Sequence, residues 1–325
     1  MTVRGRSTTV KGQRGSRNRN DRKWQIERKT DAMDQTFDAT AFTEIIEQLA
    51  GYANSPGAKE QIRGLRPYLD EGELKRHIRD TTQARKMLDL LGTPPLPVME
   101  QMGHILEKAV LGELLLPEEM ESAGMFLAAV SRMQAYLDRG KMHRIPAAYY
   151  SENLYPLTEL KEEIERSVRH GRIDDHASGT LWGIRKEIRI LEEKIKDKAE
   201  NLLKTQKKFM AEAFLVTRNN RLCLPVKKEY KSKVQGSVIH SSSTGATVFI
   251  EPEAVARLQD EKEILFVEED CEERRILYSL MDLIASQEEA VKSNLEILAK
   301  LDFIFAKGKL SAQMEAVEPE INTGG

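Results

Sequence analysis

From Ser178 to about residue 213, apolar residues return at alternating steps of three and four: Leu181, Ile184, Ile188, Leu191, Ile195, then Leu202. That is the seam of a coiled coil, ~35 residues or about 50 Å long at helical rise. Ser178 suits the N-cap of this outgoing helix, and Asp174 and Asp175 ahead of it complement a helix N-terminus. Such a seam needs a second helix to cover it, and 253–315 offers one. Pro252 fits its first turn, and Leu277, Met281, Ile284, Val291, Leu295, Leu298 and Phe305 lie near one stripe, interrupted by Glu288 and Asp302. Two helices running out and back make an antiparallel arm.

Between them, 214–252 has the period of strands. Phe214 and Val216, then Leu222, Leu224 and Val226, alternate on either side of Arg218-Asn219-Asn220-Arg221, a turn in which Asn adopts positive φ. Val234 to His240 and Ala246 to Ile250 repeat the pattern around a turn of Ser241-Ser242-Ser243-Thr244-Gly245. About four strands make a small antiparallel sheet. From Arg218 to Lys233 the island carries Arg218, Arg221, Lys227, Lys228, Lys231 and Lys233 against the single acid Glu229. Six cations spaced by strands suit contact with nucleic-acid phosphates without regard to sequence. Lysines on exposed strands also discourage edge-to-edge aggregation, so charge alone does not decide the matter.

The span 33–177 reads as a helical core. Phe42, Ile45, Ile46 and Leu49 form one short amphipathic helix, and Ser55-Pro56 opens a second with Ile62 and Leu65. Glu71 to Leu91 is helical until Gly92-Thr93-Pro94-Pro95. Leu116-Pro117 starts another helix through Met120, Met125, Val130, Met133 and Leu137, its methionines read as core filling. A last one carries Leu160, Ile164 and Val168 as far as His170-Gly171-Arg172. Trp182, at the start of the arm, is read as an anchor for a partner helix or for the returning one.

Composition agrees: 31% charged and only 6% aromatic residues fit a soluble, helix-rich chain. The net charge of −2 hides an asymmetry, because residues 1–30 hold ten Lys and Arg against Asp21 and Glu27, a net of +8. Residues 1–32 are therefore expected to be a disordered basic tail able to bind polyanions, unless translation starts at Met33. Cys223 and Cys271 lie far apart and no long apolar run occurs, so a reducing cytoplasm is expected. None of the six His forms a pair or cluster at metal-ligand spacing, so neither a metal site nor a cofactor is expected.

Arg218-Asn-Asn-Arg221-Leu-Cys-Leu-Pro225-Val226-Lys227, then Glu229-Tyr230, Lys233-Val234-Gln-Gly236 and Ser242 through Pro252 resemble, in order and spacing, the clamp motifs of the MutS superfamily. Within it they are similar to the bacterial type-two paralogues that lack the mismatch-reading domain. Asp175-His-Ala-Ser178, with Leu181 and Ile184-Arg185, and Leu301-Asp302-Phe303-Ile304-Phe305-Ala306-Lys307 resemble its core, and the likeness runs from about Phe37 to Asn322. The resemblance implies a core and lever bundle whose coiled-coil arm carries a β clamp on duplex or branched DNA, in mismatch repair, DNA-damage processing or restraint of recombination. In some members it implies ribosome rescue, with ribosomal RNA as the polyanion.

In whole members an ATPase domain follows, dimerises the protein, and binds ATP and Mg; often a nuclease-like domain comes after it. No Gly-x-x-x-x-Gly-Lys-Ser/Thr motif occurs here, and 316–325 read as a tail leading toward that domain. The expectation is a chain without catalytic activity of its own: a natural clamp, an adaptor for a separately encoded ATPase, or the front half of a split gene. Met87-Leu88-Asp89-Leu90-Leu91 resembles an acidic nicking motif of some members, but Leu91 stands where a basic residue belongs. A lone carboxylate does not hold a metal for hydrolysis, so Asp89 is read as an ordinary polar position.

Overall fold

The helical periods return as nine α-helices among the described residues, with a two-stranded and a four-stranded antiparallel sheet. The computed structural model describes residues 42–97 and 99–321. The basic tail and Met33 lie outside them. The helices are α1 Phe42–Tyr52, α2 Pro56–Arg63, α3 Glu71–Leu91, α4 Glu100–Leu111, α5 Pro117–Met142, α6 Thr158–Ser167, α7 Gly179–Thr205, α8 Glu253–Ser286 and α9 Glu288–Gln313. The chain divides into two compact units, one of 42–96, 136–152 and 296–321, the other of 97–135 and 153–295, so the expected 33–177 core is shared between them.

In the first unit, α1, α2 and α3 pack with the last turns of α5 and most of α9. Ala84, Met87, Leu137 and Phe305 are fully buried, and the Tyr136 ring meets Phe305 edge-on at 5.9 Å while its hydroxyl donates to the Gly92 carbonyl at 2.9 Å. Asp302, which breaks the apolar stripe of the sequence, is fully buried and has a structural task. Its carboxylate accepts from the Asn54 and Ser55 amides at 2.7–3.0 Å and from the Ser55 hydroxyl at 2.8 Å. Ser55 in turn caps α2 by accepting from the Ala58 amide. A buried carboxylate is tolerated because hydrogen-bond donors replace water.

In the second unit, α7 and α8 run antiparallel, with Leu181, Ile188, Ile195 and Ala199 of α7 buried along the seam. Ser178 caps α7 as its sequence indicates, accepting from the Leu181 amide and donating to Glu272. Near this start, Arg185 donates to Asp175, Glu269 and Glu273 at 2.5–2.6 Å and to the Ile173 carbonyl at 2.9 Å. One guanidinium thus ties both helices to the loop before α7.

Three helices depart from expectation. The outgoing helix expected to reach 213 ends at Thr205, because Phe209 and Met210 are drawn into the core of the four-stranded sheet, where Met210 bridges to Val226. The returning helix is broken at Gln287, where the polar run Ser286-Gln287-Glu288-Glu289 gives α9 an acidic first turn. Helix α4 was not expected: Met99 makes no side-chain cap to mark its start after Pro94, Pro95 and Pro97, although Gly112 ends it with φ 74°. Of the α5 methionines, Met120 and Met133 are buried but Met125 is 62% exposed, lying on the opposite face of the helix. Trp182 is half exposed, with the Lys186 ammonium 4.9 Å from its ring centre.

Candidate nucleic-acid interface

The strands are β1 Val168–Arg169 and β2 Arg172–Ile173, which form the small hairpin after α6, and β3 Val216–Arg218, β4 Arg221–Lys227, β5 Gly236–Ser241 and β6 Thr247–Pro252. The last four make a sheet of order β3-β4-β6-β5 between the end of α7 and the start of α8. Asn219 and Asn220 both adopt positive φ, 50° and 62°, as the hairpin turn requires. Phe214, expected in the first strand, lies before it and is 60% exposed. Pro225 fits inside β4 because on that edge it uses only its carbonyl, which accepts from the Ala211 amide at 2.8 Å.

Alternation along β4 and β6 buries Leu224, Val226, Val248 and Ile250 on one face, closed by Met210 and Val234. The connection Lys228–Lys233, a 3-10 turn, brings the Tyr230 ring within 5.3 Å of Phe209. Gly236 then enters β5 with φ 155°, where any Cβ would stand 2.1 Å from the Glu251 carbonyl oxygen. No other residue fits there.

The six cations read from the sequence divide into three kinds. Arg221 is an anchor: it donates to Glu251 at 2.7 Å and to Asp260 at 2.5 Å, and those hydrogen bonds hold its guanidinium above its ordinary pKa. Glu251 is itself buried and also accepts from Gln259 at 2.7 Å, while Gln259 accepts from the Leu222 amide. This polar knot fixes the sheet to the first turns of α8. Arg218 lies over the Phe249 ring at 4.6 Å and donates to the carbonyl of Thr217.

Lys227, Lys228, Lys231 and Lys233 are exposed and form no ion pair among the described residues. Lys227 and Lys228 stand at the end of β4 remote from Arg221, where Lys227 pairs with Thr247 and the Lys228 amide donates to Ala246. The Ser241–Gly245 loop closes the same end, and Ser242 is spent on turning the chain, its hydroxyl accepting from the Thr247 amide at 3.1 Å. Cys223 is fully buried, and burial pushes its thiol up to about 11; Cys271 is exposed and also free.

Lys207 and Lys208 also approach this region, although in sequence they read as the end of the outgoing helix. The Phe209–Tyr230 contact joins the segment that carries Lys207 and Lys208 to the connection that carries Lys228, Glu229 and Lys231, and the Lys208 ammonium lies 4.8 Å from the Phe209 ring centre. A run of polar residues ending in an aromatic, Thr205-Gln206-Lys207-Lys208-Phe209, was the available signal. Asp89 lies elsewhere, on α3, with a side chain 58% exposed and an ion pair to Arg85 at 3.0 Å. Among the described residues no group of three His, Cys, Asp or Glu is placed to hold a metal ion, and no helix is long and apolar enough to cross a membrane.

No family profile matches the chain. Individual relatives do: it is 33% identical over 289 residues to an Endonuclease MutS2 of Clostridium botulinum, 34% over 291 residues to one of Geobacillus, and 32% over 297 residues to a Putative endonuclease MutS2 of Bacillus subtilis. These alignments take in 87–90% of the chain. The chain belongs to the MutS2 family. It spans only 37–38% of the length of these MutS2 relatives.

Proposed function

We propose that this part of a MutS2-type protein grips nucleic acid through the free lysines of its four-stranded sheet, contacting phosphates of duplex or branched DNA without reading sequence. The observation that carries this reading is the division of the cations. Glu251 and Asp260 neutralise Arg221, whereas Lys227 and Lys228 at one end of the sheet, and Lys231 and Lys233 along the connection that leads to the start of β5, stand exposed and form no ion pair among the described residues. Ammonium groups in that state displace condensed counterions from a polyanion, the source of non-specific affinity. Four such contacts give micromolar-class binding that weakens steeply with salt. The rigid sheet sets the spacing of the lysines, and the Arg185 cluster fixes the helix pair behind it.

No step in this reading needs chemistry. In this reading the ATP and Mg that the resemblance implies would be bound by the part of the relatives that this chain does not span, and any opening and closing of the grip would be driven from there. The test is a mobility shift with a four-way DNA junction and, separately, with ribosomes, repeated after changing the four lysines to Glu. DNA binding lost in the variant supports the reading. Unchanged DNA binding overturns it, and binding to ribosomes alone would transfer the grip to ribosomal RNA.

A second reading rests on exposed apolar residues of the helix pair, Ile190, Ile264 and Val267, which are 40%, 59% and 64% exposed. They suit a helical partner carrying the ATPase activity. Light scattering and co-purification distinguish the two, since a lone grip stays monomeric.

A further inference from the structure

Between the end of α7 and β4, the segment that joins α7 to β3 walls a groove of about 900 Å³. Its floor is apolar, with Leu203 and Leu215 packed on the core of the sheet and Met210 inside it. One wall is Phe214, whose ring is presented to solvent. Lys196 and Lys207 rim the groove together with Glu212 and with Lys204, which pairs with Glu200 at 3.8 Å. The lysine-flanked Phe209–Tyr230 pair makes the rim continuous with the cations of the proposed grip.

An exposed aromatic ring over an apolar floor, inside a band of lysines, answers to one chemistry in particular. It is that of an unpaired nucleotide, whose base stacks on the ring while its phosphates lie along the lysines. A duplex offers the phosphates but keeps its bases stacked on one another. An acidic peptide offers charge but no large flat face. The volume lies within the range of small-ligand pockets and admits a base with its sugar.

We infer that the groove holds an unstacked base of a single-stranded segment, with Phe214 as the stacking platform, so that the sheet favours nucleic acid having unpaired bases over uninterrupted duplex. The inference rests on the proposed grip and deepens it: the lysines supply affinity for any polyanion, and Phe214 selects strands with accessible bases. Phe214 is half free of the fold, so its replacement leaves the core untouched.

The experiment is fluorescence anisotropy of the whole chain with three labelled probes: oligothymidylate, an abasic oligomer of the same length, and a blunt duplex. Phe214→Ala is expected to weaken oligothymidylate binding by about tenfold while leaving the abasic oligomer and the duplex unchanged. Phe214→Trp should restore affinity, and its emission should be quenched by oligothymidylate beyond any change seen in the wild type. Equal binding of abasic and base-bearing oligomers by the wild type overturns the inference, as does a Phe214→Ala variant that binds oligothymidylate normally. Loss of duplex and oligothymidylate binding together in the lysine variant, with the Phe214 variant unaltered, would leave the grip standing and remove the base pocket. If the wild type binds none of the probes, both readings fall.

Discussion

Arg221 and Lys227 are alike in the sequence, both basic, both in one strand, both within the same run of six cations, yet they do opposite things. The difference lies in residues 30 and 39 positions later, Glu251 and Asp260, which claim the guanidinium and leave the ammonium free. Exchange of Arg221 for Met therefore strips Glu251 of its charge partner and is expected to destabilise the sheet by about 2 kcal/mol, less than for a fully buried pair because the arginine is a quarter exposed. A shifted denaturation midpoint checks this. The slope of nucleic-acid affinity against salt should not change in that variant, since Arg221 has no free charge to release counterions. The presence of a basic site was legible from composition and motif; the division of labour within it was not, because a partner 39 residues away on another element leaves no local pattern.

At the scale of elements, periodicity read the long helices well and their ends poorly. Ser178, Ser55 and Pro117 mark starts because cap and first-turn chemistry is local. The stop at Thr205 was invisible because it is imposed by Phe209 and Met210 packing against Leu224 and Val226, a tertiary effect that overrides helix propensity. Helices α7 and α8 are joined at one end by the sheet and at the other by Arg185, which is 18% exposed and holds three carboxylates. Arg185→Gln leaves those acids facing one another, with an expected loss of about 2–3 kcal/mol at neutral pH.

Hydrogen bonding to Arg185 holds the Asp175 carboxyl below its ordinary value. In the wild type that contribution is complete above the unfolded carboxylate range near pH 4 and is lost as the pH falls through the lower folded value. The part of the Arg185→Gln deficit that comes from Asp175 should accordingly shrink in acid, where that carboxylate becomes neutral. Hydrogen exchange of 175–185 and 266–276 measures the loosening, and a deficit that grows in acid would contradict the account.

Across the whole molecule, charges buried within the helical units set the pH response. Burial lowers the Lys307 ammonium to about 8, opposed only in part by Asp80, and its aliphatic chain carries the charge to 4.5 Å from the Phe303 ring centre. Below that value both folded and unfolded chains hold the proton, and the fold bears the cost of burying it. Between about 8 and the ordinary lysine value near 10.5 the unfolded chain binds more proton, so stability rises with pH there. For a side chain still partly in contact with water the rise is about 1–2 kcal/mol, and Lys307→Met should flatten it, as denaturant midpoints across that range would show.

The central claim, that the free lysines at the end of β4 and along the β4–β5 connection hold nucleic-acid phosphates, meets its most direct test in the salt dependence of DNA affinity. With junction DNA titrated into the whole chain over a series of salt concentrations, the log–log slope is expected to be about −3 to −4, as four lysine–phosphate contacts require. Changing Lys227, Lys228, Lys231 and Lys233 to Gln should make the slope shallower by about 3 to 4, whatever other basic segments contribute. A quadruple variant that keeps the wild-type slope and affinity would contradict the account.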